Sequence, residues 1–284
     1  MRDTAAPYLV FSKRLIRPDT WIIQLGNDKN QPATYVVIGE ERAAVIDTGE
    51  HLYDLRSYVE EITDKPLVVV NTHSHFDHTG NNGLFKDCPI YMSVEATREV
   101  KHNIHRGKDP ANYDFDWEPI GVPEGFRVDL GGRELEAIYV PCHSVTSYAW
   151  LDRKQKLLFS GDEVETGQVL IMGKGEHIGS VEAYLSNLMK LKKYRDEGWV
   201  DLVCPAHNGS PADGSLIDAS IENCRRIMAG KRGTKHIASP SFCAPGTPEA
   251  ETRGKQLAER NVWRSEWNGS SIVYDADHIF GEGA

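Results

Sequence analysis

Apolar and polar positions alternate along the first fifth of the chain in short runs. Thr20 to Leu25, Thr34 to Gly39 and Ala43 to Ile46 read as β-strands, separated by the turn-rich Gly26-Asn27-Asp28-Lys29-Asn30 and by Glu40-Glu41. The spacing then changes. Leu52, Leu55, Tyr58, Val59 and Ile62 repeat at helical intervals, and Leu67 to Val70 follows as an unbroken apolar run of buried-strand character. Residues 94 to 104 read as a helix and 103 to 119 as a polar loop carrying Tyr113, Phe115 and Trp117. Strands are expected at Phe126 to Leu130, Arg133 to Val140, Tyr148 to Asp152, Lys156 to Ser160 and Gln168 to Met172. An amphipathic helix at Ala183 to Tyr194, a strand at Val200 to Cys204, a helix at Leu216 to Met228 and a strand at Ser271 to Tyr274 complete the pattern.

Ligand-type side chains follow the strands. Asp47 comes after Ala43-Ala44-Val45-Ile46, His143 after Ala137 to Cys142, Asp162 after Leu157 to Gly161, and His207 after Leu202 to Ala206. The densest group follows Leu67 to Val70: Thr72-His73-Ser74-His75-Phe76-Asp77-His78-Thr79-Gly80 places three imidazoles and one carboxylate within six residues. Imidazole nitrogen and carboxylate oxygen are donors that zinc, iron and nickel accept. A turn leaving a strand can aim His73 and His75 at one ion and Asp77 and His78 at another. If the strands run in a common sense, all five ends gather on one rim, where α/β proteins place their chemistry.

Composition narrows the partners. With 32 basic and 42 acidic residues the net charge is −10, which favours a small-molecule partner over a nucleic-acid backbone. No apolar run reaches transmembrane length and no cleavage-type sequence follows the short run Ala5 to Phe11, so no membrane partner and a cytoplasmic location are expected. The five cysteines are odd in number and unpaired by spacing, which argues against a disulfide framework. No Pro/Gly/Ser linker divides the 284 residues, so a single domain over 1–284 is expected, with a substrate-loop or lid insertion at about 228–267. The remaining histidines, including His102, His105 and His278, read as surface residues. There is no Gly-x-Ser-x-Gly elbow for a serine nucleophile.

Asp47 in Val-Ile-Asp-Thr-Gly, the His-x-His-x-Asp-His run, His143 in Pro-Cys-His-Ser, Asp162 in Ser-Gly-Asp and His207 in Pro-Ala-His resemble, in order and interval, the metallo-β-lactamase superfamily over residues 20 to 208. The resemblance implies an α/β fold: an αββα sandwich of two mixed β-sheets with helices on the outer faces. It implies that His73, His75 and His143 hold one metal and Asp77, His78 and His207 the other. Asp162 would bridge them, and Asp47 would orient a ligand imidazole through its other nitrogen. Two zinc ions per chain are expected, with iron or manganese as substitutes. With two carboxylates and a shared hydroxide the cluster would carry about +1.

The chemistry expected is hydrolysis of an electrophilic carbon by metal-bound hydroxide, with Asp77 accepting the water's proton. A small lactone, lactam, thioester or isothiocyanate would suit it, and detoxification is a role consistent with such substrates. Asp162 resembles glyoxalase II and the quorum-sensing lactonases, but Glu165 stands where the lactonases usually carry tyrosine. Tyr113, Phe115, Trp117, Trp263 and Trp267 are the candidate pocket aromatics, with ordinary core packing or homodimer contacts as the other reading. Two further functions fit the motif: a mononuclear iron persulfide dioxygenase, and a non-catalytic metal-binding protein.

Overall fold

A computed structural model describes residues 11–25, 32–50, 53–99, 116–173, 179–235 and 260–281. Seven strands form the first sheet in chain order: β1 (Phe11–Arg17), β2 (Thr20–Leu25), β3 (Thr34–Ile38), β4 (Ala43–Ile46), β5 (Leu67–Val70), β6 (Ile90–Ser93) and β7 (Ile120–Val122). β1 to β4 pair antiparallel and β4 to β7 pair parallel. The second sheet is built from β8 (Arg127–Asp129), β9 (Glu134–Tyr139), β10 (Tyr148–Asp152), β11 (Leu157–Gly161), β13 (Leu202–Pro205) and β14 (Ala212–Asp213), with β11 and β13 parallel and the other pairs antiparallel.

The two mixed sheets face each other. Ile22, Val37, Ala44, Ile46, Val68 and Val70 of the first pack against Leu135, Ala137, Trp150, Leu157 and Phe159 of the second. Strand alternation explains why both faces of β4 and β5 are apolar. Val45 and Val69 point outward, onto Leu55 and Val59 of α1 (Leu55–Glu60) and onto Phe85. Each fully buried aliphatic side chain here is worth about 1.5–3 kcal/mol. On the far side, α3 (Val181–Asp196) turns Val181, Tyr184, Leu188 and Leu191 onto the second sheet, and α4 (Leu216–Met228) adds Ile217, Ile221, Cys224 and Ile227. Ser180 caps α3 by accepting the amide of Ala183 at 3.0 Å. The order of layers is helix, sheet, sheet, helix.

A third, four-stranded sheet supplements this sandwich, in the order β12 (Val169–Ile171), β17 (Ser270–Asp275), β16 (Val262–Trp267), β15 (Thr234–Lys235). Ile272 and Tyr274 of β17 join the core under α4. β15 and β16 fall within the segment 228–267 expected to be an insertion, of which residues 236–259 lie outside those described. α1 is shorter than the periodicity suggests, because Asp54 accepts from Ser57 N and caps it there. The four described cysteines, Cys88, Cys142, Cys204 and Cys224, are free thiols. Among the described residues no helix is long and apolar enough to cross a membrane.

A buried ion pair spans the sheets at the end away from the histidines. Arg133 Nε donates to Asp152 Oδ2 at 2.6 Å, its Nη1 to the carbonyl of Asp19 at 2.9 Å, and its Nη2 to Thr20 Oγ1 at 2.6 Å.

Candidate metal centre

The parallel pairing of β4 with β5 sets Ile46 beside Val70, so the residues leaving both strands meet. Asp47 turns there with a φ of 56°, in the left-handed region that aspartate tolerates, and its amide donates to the carbonyl of Val70 at 3.0 Å. Its Oδ1 accepts the amide of Thr72 and its Oδ2 the hydroxyl of Thr72, both at 2.7 Å. Beyond β5 the chain runs through His73 and Ser74 into the short helix α2 (Phe76–Thr79), with His75 at its N-cap position. That turn carries Asp77 and His78 on one side.

The second sheet completes the rim. The turn between β9 and β10 supplies His143, and β11 and β13, parallel and in register at Gly161 and Pro205, supply Asp162 and His207. Hydrogen bonds lock the sheets together here. The amide of Tyr148 donates to the carbonyl of Thr72 at 2.7 Å, the amide of Ser74 to Thr146 Oγ1 at 3.0 Å, and the indole of Trp150 to the carbonyl of Asn71 at 3.1 Å.

Three groups of donor atoms result, each with all members within 4.8 Å of one another: His73, His75 and His143; His73, His78 and Asp162; and Asp77, His78 and His207. His75 Nδ1 lies 2.9 Å from His73 Nε2 and 3.1 Å from His143 Nε2. Asp162 stands between the first and last groups. Its Oδ2 is 3.4 Å from His143 Nε2, while its Oδ1 is 3.4 Å from His78 Nε2 and 3.5 Å from His207 Nε2. Asp77 Oδ2 is 3.5 Å from His207 Nε2.

These atoms fit a cation better than they fit one another. Nε2 of His78 and Oδ1 of Asp162 are fully buried, face each other, and make no hydrogen bond. The donor set is the one that structural and catalytic zinc and iron sites use. The metal-free electrostatics agree. Burial would raise the carboxyls of Asp77 and Asp162, but the neighbouring histidines outweigh it and hold both below the usual range. Burial would lower His207, yet Asp162 and Asp77 raise it to about 10. His73, buried among His78 and His75, is pushed down. Protons on imidazoles therefore stand in for cations, and metal loading would release them.

Three of the five aromatic candidates lie within the described residues. Trp117 packs with Leu55, Val59 and Phe85 on the outer face of the first sheet. Trp263 donates to Asn261 Oδ1 at 2.8 Å, and Arg226 lies 3.8 Å above the ring of Trp267, both on the third sheet. Tyr113 and Phe115 lie outside the described residues. Residues that the spacing did not single out are Glu163 and Asn208, whose partners in Cys142 to Ser144 and in Glu165 and Thr166 lie about twenty or more residues away and leave no local signature.

Comparison with known proteins agrees with this arrangement. The family model described as the metallo-beta-lactamase superfamily matches residues 27–229. Acyl-coenzyme A thioesterase MBLAC2 of Gallus gallus is 28% identical over 206 residues, covering 63% of this chain and 73% of that protein. The Homo sapiens protein of the same name is 27% identical over 211 residues, with the same coverage. Among solved structures, a metallo-beta-lactamase from Pontibacter korlensis aligns with a TM-score of 0.58 at 18% identity, covering 75% of this chain and 98% of that one, a likeness of fold. With its sandwich, its strand-end histidines and a family match over most of its length, the chain belongs to the metallo-beta-lactamase superfamily and is a hydrolase.

Proposed function

We propose that this chain is a two-metal hydrolase of acyl thioesters, of the kind in which coenzyme A carries the acyl group. The observation that carries the two-metal reading is the stance of Asp162, whose two oxygens each stand 3.4 Å from an imidazole of a different three-residue group. His73, His75 and His143 would hold one ion and Asp77, His78 and His207 the other, with Asp162 standing between the two groups. The thioester reading rests on the thioesterases that resemble this chain over 63% of its length. Zinc suits the donors, with iron or manganese as substitutes.

Such ions, when bound, supply Lewis acidity, lowering the pKa of a coordinated water to about 7 and polarising the scissile carbonyl. The chain's own residues do the rest. His73 and His78 are held rigidly from behind, His78 through Asp47 and His73 through the hydroxyl of Thr72, 3.1 Å from its Nδ1. Asp77 keeps its side chain partly exposed beside His207 and accepts the proton of the attacking water. The new C–O bond forms at the acyl carbon, the C–S bond breaks, and the proton passes to sulfur, giving a carboxylic acid and a thiol. A thiol of pKa about 8.5 leaves readily as thiolate, so the reaction makes little demand on a strong proton donor.

The test is metal analysis of the purified protein together with thiol release from acyl-coenzyme A substrates. Two ions per chain, thiol release abolished by chelation and restored by metal, and loss of thiol release together with one of the two ions in each of His143→Ala and His207→Ala are expected. Undiminished thiol release by metal-stripped protein would refute the mechanism. One iron per chain with oxygen consumption would assign the chain to dioxygenase chemistry instead.

A further inference from the structure

The four residues Asp162-Glu163-Val164-Glu165 leave β11 through Gly161 and carry three carboxylates, of which Glu163 and Glu165 are buried and Asp162 is partly buried. Only the first faces the histidine cluster. Glu163 turns the other way, and its Oε1 accepts the backbone amides of Cys142 at 3.1 Å, His143 at 2.8 Å and Ser144 at 3.4 Å. A single oxygen thus holds the main chain on both sides of His143. The arm is fixed at its root: the hydroxyl of Tyr184 on α3 donates to the Glu163 carbonyl at 2.7 Å, and Ser160 Oγ donates to the carbonyl of Val164 at 2.8 Å.

Glu165 reaches in a different direction. Its Oε2 accepts Nδ2 of Asn208 at 3.1 Å, and its Oε1 accepts the amide of Gln168 at 3.1 Å. Asn208 directly follows His207 in a left-handed conformation, with φ 62°, and its carbonyl accepts the hydroxyl of Thr166 at 2.8 Å. The two loops touch so closely that a Cβ on Gly167 would lie 1.7 Å from Asn208 Cγ. The third sheet braces the contact from outside, where Arg264 Nη2 donates to the carbonyl of Gly167 at 2.8 Å.

One short segment therefore supplies the side chain between the two donor groups and extends an arm to each of the far strand ends. We propose that Glu163 and Glu165 are positioning residues, Glu163 setting His143 and Glu165, through Asn208, setting His207, so that each of two metal sites is tuned by its own carboxylate. Fixing the backbone that carries a ligand fixes where its nitrogen points, and losses of supporting contacts of this kind cost about 10–100-fold in metal affinity. Oε1 of Glu163 and both oxygens of Glu165 are occupied by main-chain or amide donors, while Oε2 of Glu163 is buried without one. The proposal rests on the two-ion reading above.

The experiment measures stepwise zinc affinity by chelator competition on the full chain, in parent proteins that keep one site each. In the His143→Ala background, Glu165→Ala and Asn208→Gly are expected to weaken the remaining site about 10-fold or more, and Glu163→Ala to leave it within about threefold. In the His207→Ala background the pattern reverses. In the otherwise unaltered chain Glu163→Gln, whose amide oxygen can still accept the three backbone amides, is expected to keep near-native affinity where Glu163→Ala does not. If Glu163→Ala does not fold, Glu163→Asp, one methylene shorter, is read in the same way. Equal losses at both sites, no loss at either, or Glu163→Gln falling as far as Glu163→Ala would overturn the assignment. An unaltered chain that binds fewer than two ions would instead refute the two-ion reading itself.

Discussion

Asp47 Oδ2 stands 2.8 Å from Nδ1 of His78, beneath the histidine cluster and almost wholly shielded from solvent. The contact fixes the ring so that Nδ1 carries the proton and donates to the carboxylate, leaving Nε2 directed at Asp162. The imidazole is thereby made both better oriented and more basic toward a cation.

Replacing Asp47 should therefore weaken metal binding before it alters the fold. Asp47→Asn keeps a residue that tolerates the left-handed backbone and removes the charge; metal affinity is expected to fall about 10-fold or more by chelator competition. Asp47→Ala adds backbone strain at a φ of 56° and leaves the amide and hydroxyl of Thr72 without their acceptor. A further loss of about 1–3 kcal/mol is expected in denaturant unfolding of the metal-free protein. Equal metal affinity in Asp47→Asn and the unaltered chain would contradict the account.

Gly161 is the hinge on which Asp162 turns, at a φ of 54°, and a Cβ there would lie 2.5 Å from Thr72 Oγ1. Gly161→Ala must push Thr72 away from Asp47 or twist β11. A destabilisation of about 2–4 kcal/mol is expected from overpacking and left-handed strain together, which calorimetry should read as a melting point lower by roughly 3–7 °C.

Arg133 and Asp152 are both buried, and the guanidinium also binds the carbonyl of Asp19 and the hydroxyl of Thr20 on the first sheet. Arg133→Met leaves an uncompensated carboxylate in the interior. Urea unfolding should show a loss of about 3–5 kcal/mol, while zinc affinity stays unchanged, because the pair lies at the opposite end of β10 from Tyr148. A stability change near zero would mean that the pair is not a structural anchor.

Cys88 is the one partly exposed thiol among the described residues, and burial together with the charge of Asp87 raises its pKa to about 11. A raised pKa removes thiolate at neutral pH, and thiolate is the reactive form. Alkylation of Cys88 in the native protein, followed by peptide mass spectrometry, is expected to rise about tenfold per pH unit from pH 7 to 10. An ordinary thiol would level off near pH 8.5. Asp87→Asn should move the rise to lower pH.

The rim was legible in the sequence because its chemistry is written locally: apolar runs mark β4, β5, β11 and β13, and each is followed within three residues by an aspartate or a histidine. The helices α3 and α4 were legible for a similar reason, since their buried positions recur at helical spacing. β1 escaped notice because Phe-Ser-Lys-Arg-Leu-Ile-Arg is an edge strand with much of its length in water, where apolar alternation is not required. β16 was missed because Val-Trp-Arg-Ser-Glu-Trp interleaves charges that reach outward, as Arg264 does toward Gly167. The work of Glu163 could not be seen at all, because its three donors are backbone amides some twenty residues upstream, and backbone amides carry no residue identity.

One consequence follows from the division of the donors, with Asp77 and the first three histidines on one sheet and His143, Asp162 and His207 on the other. Any ion seated among them is also a rivet through the sandwich, fastening its two halves at the rim opposite the Arg133–Asp152 pair. Stripping the rivets should let that seam breathe while the far end stays shut. Hydrogen exchange would then rise first in the amides just beyond β5, β9 and β13, so the same atoms would govern both turnover and the mechanical closure of the molecule.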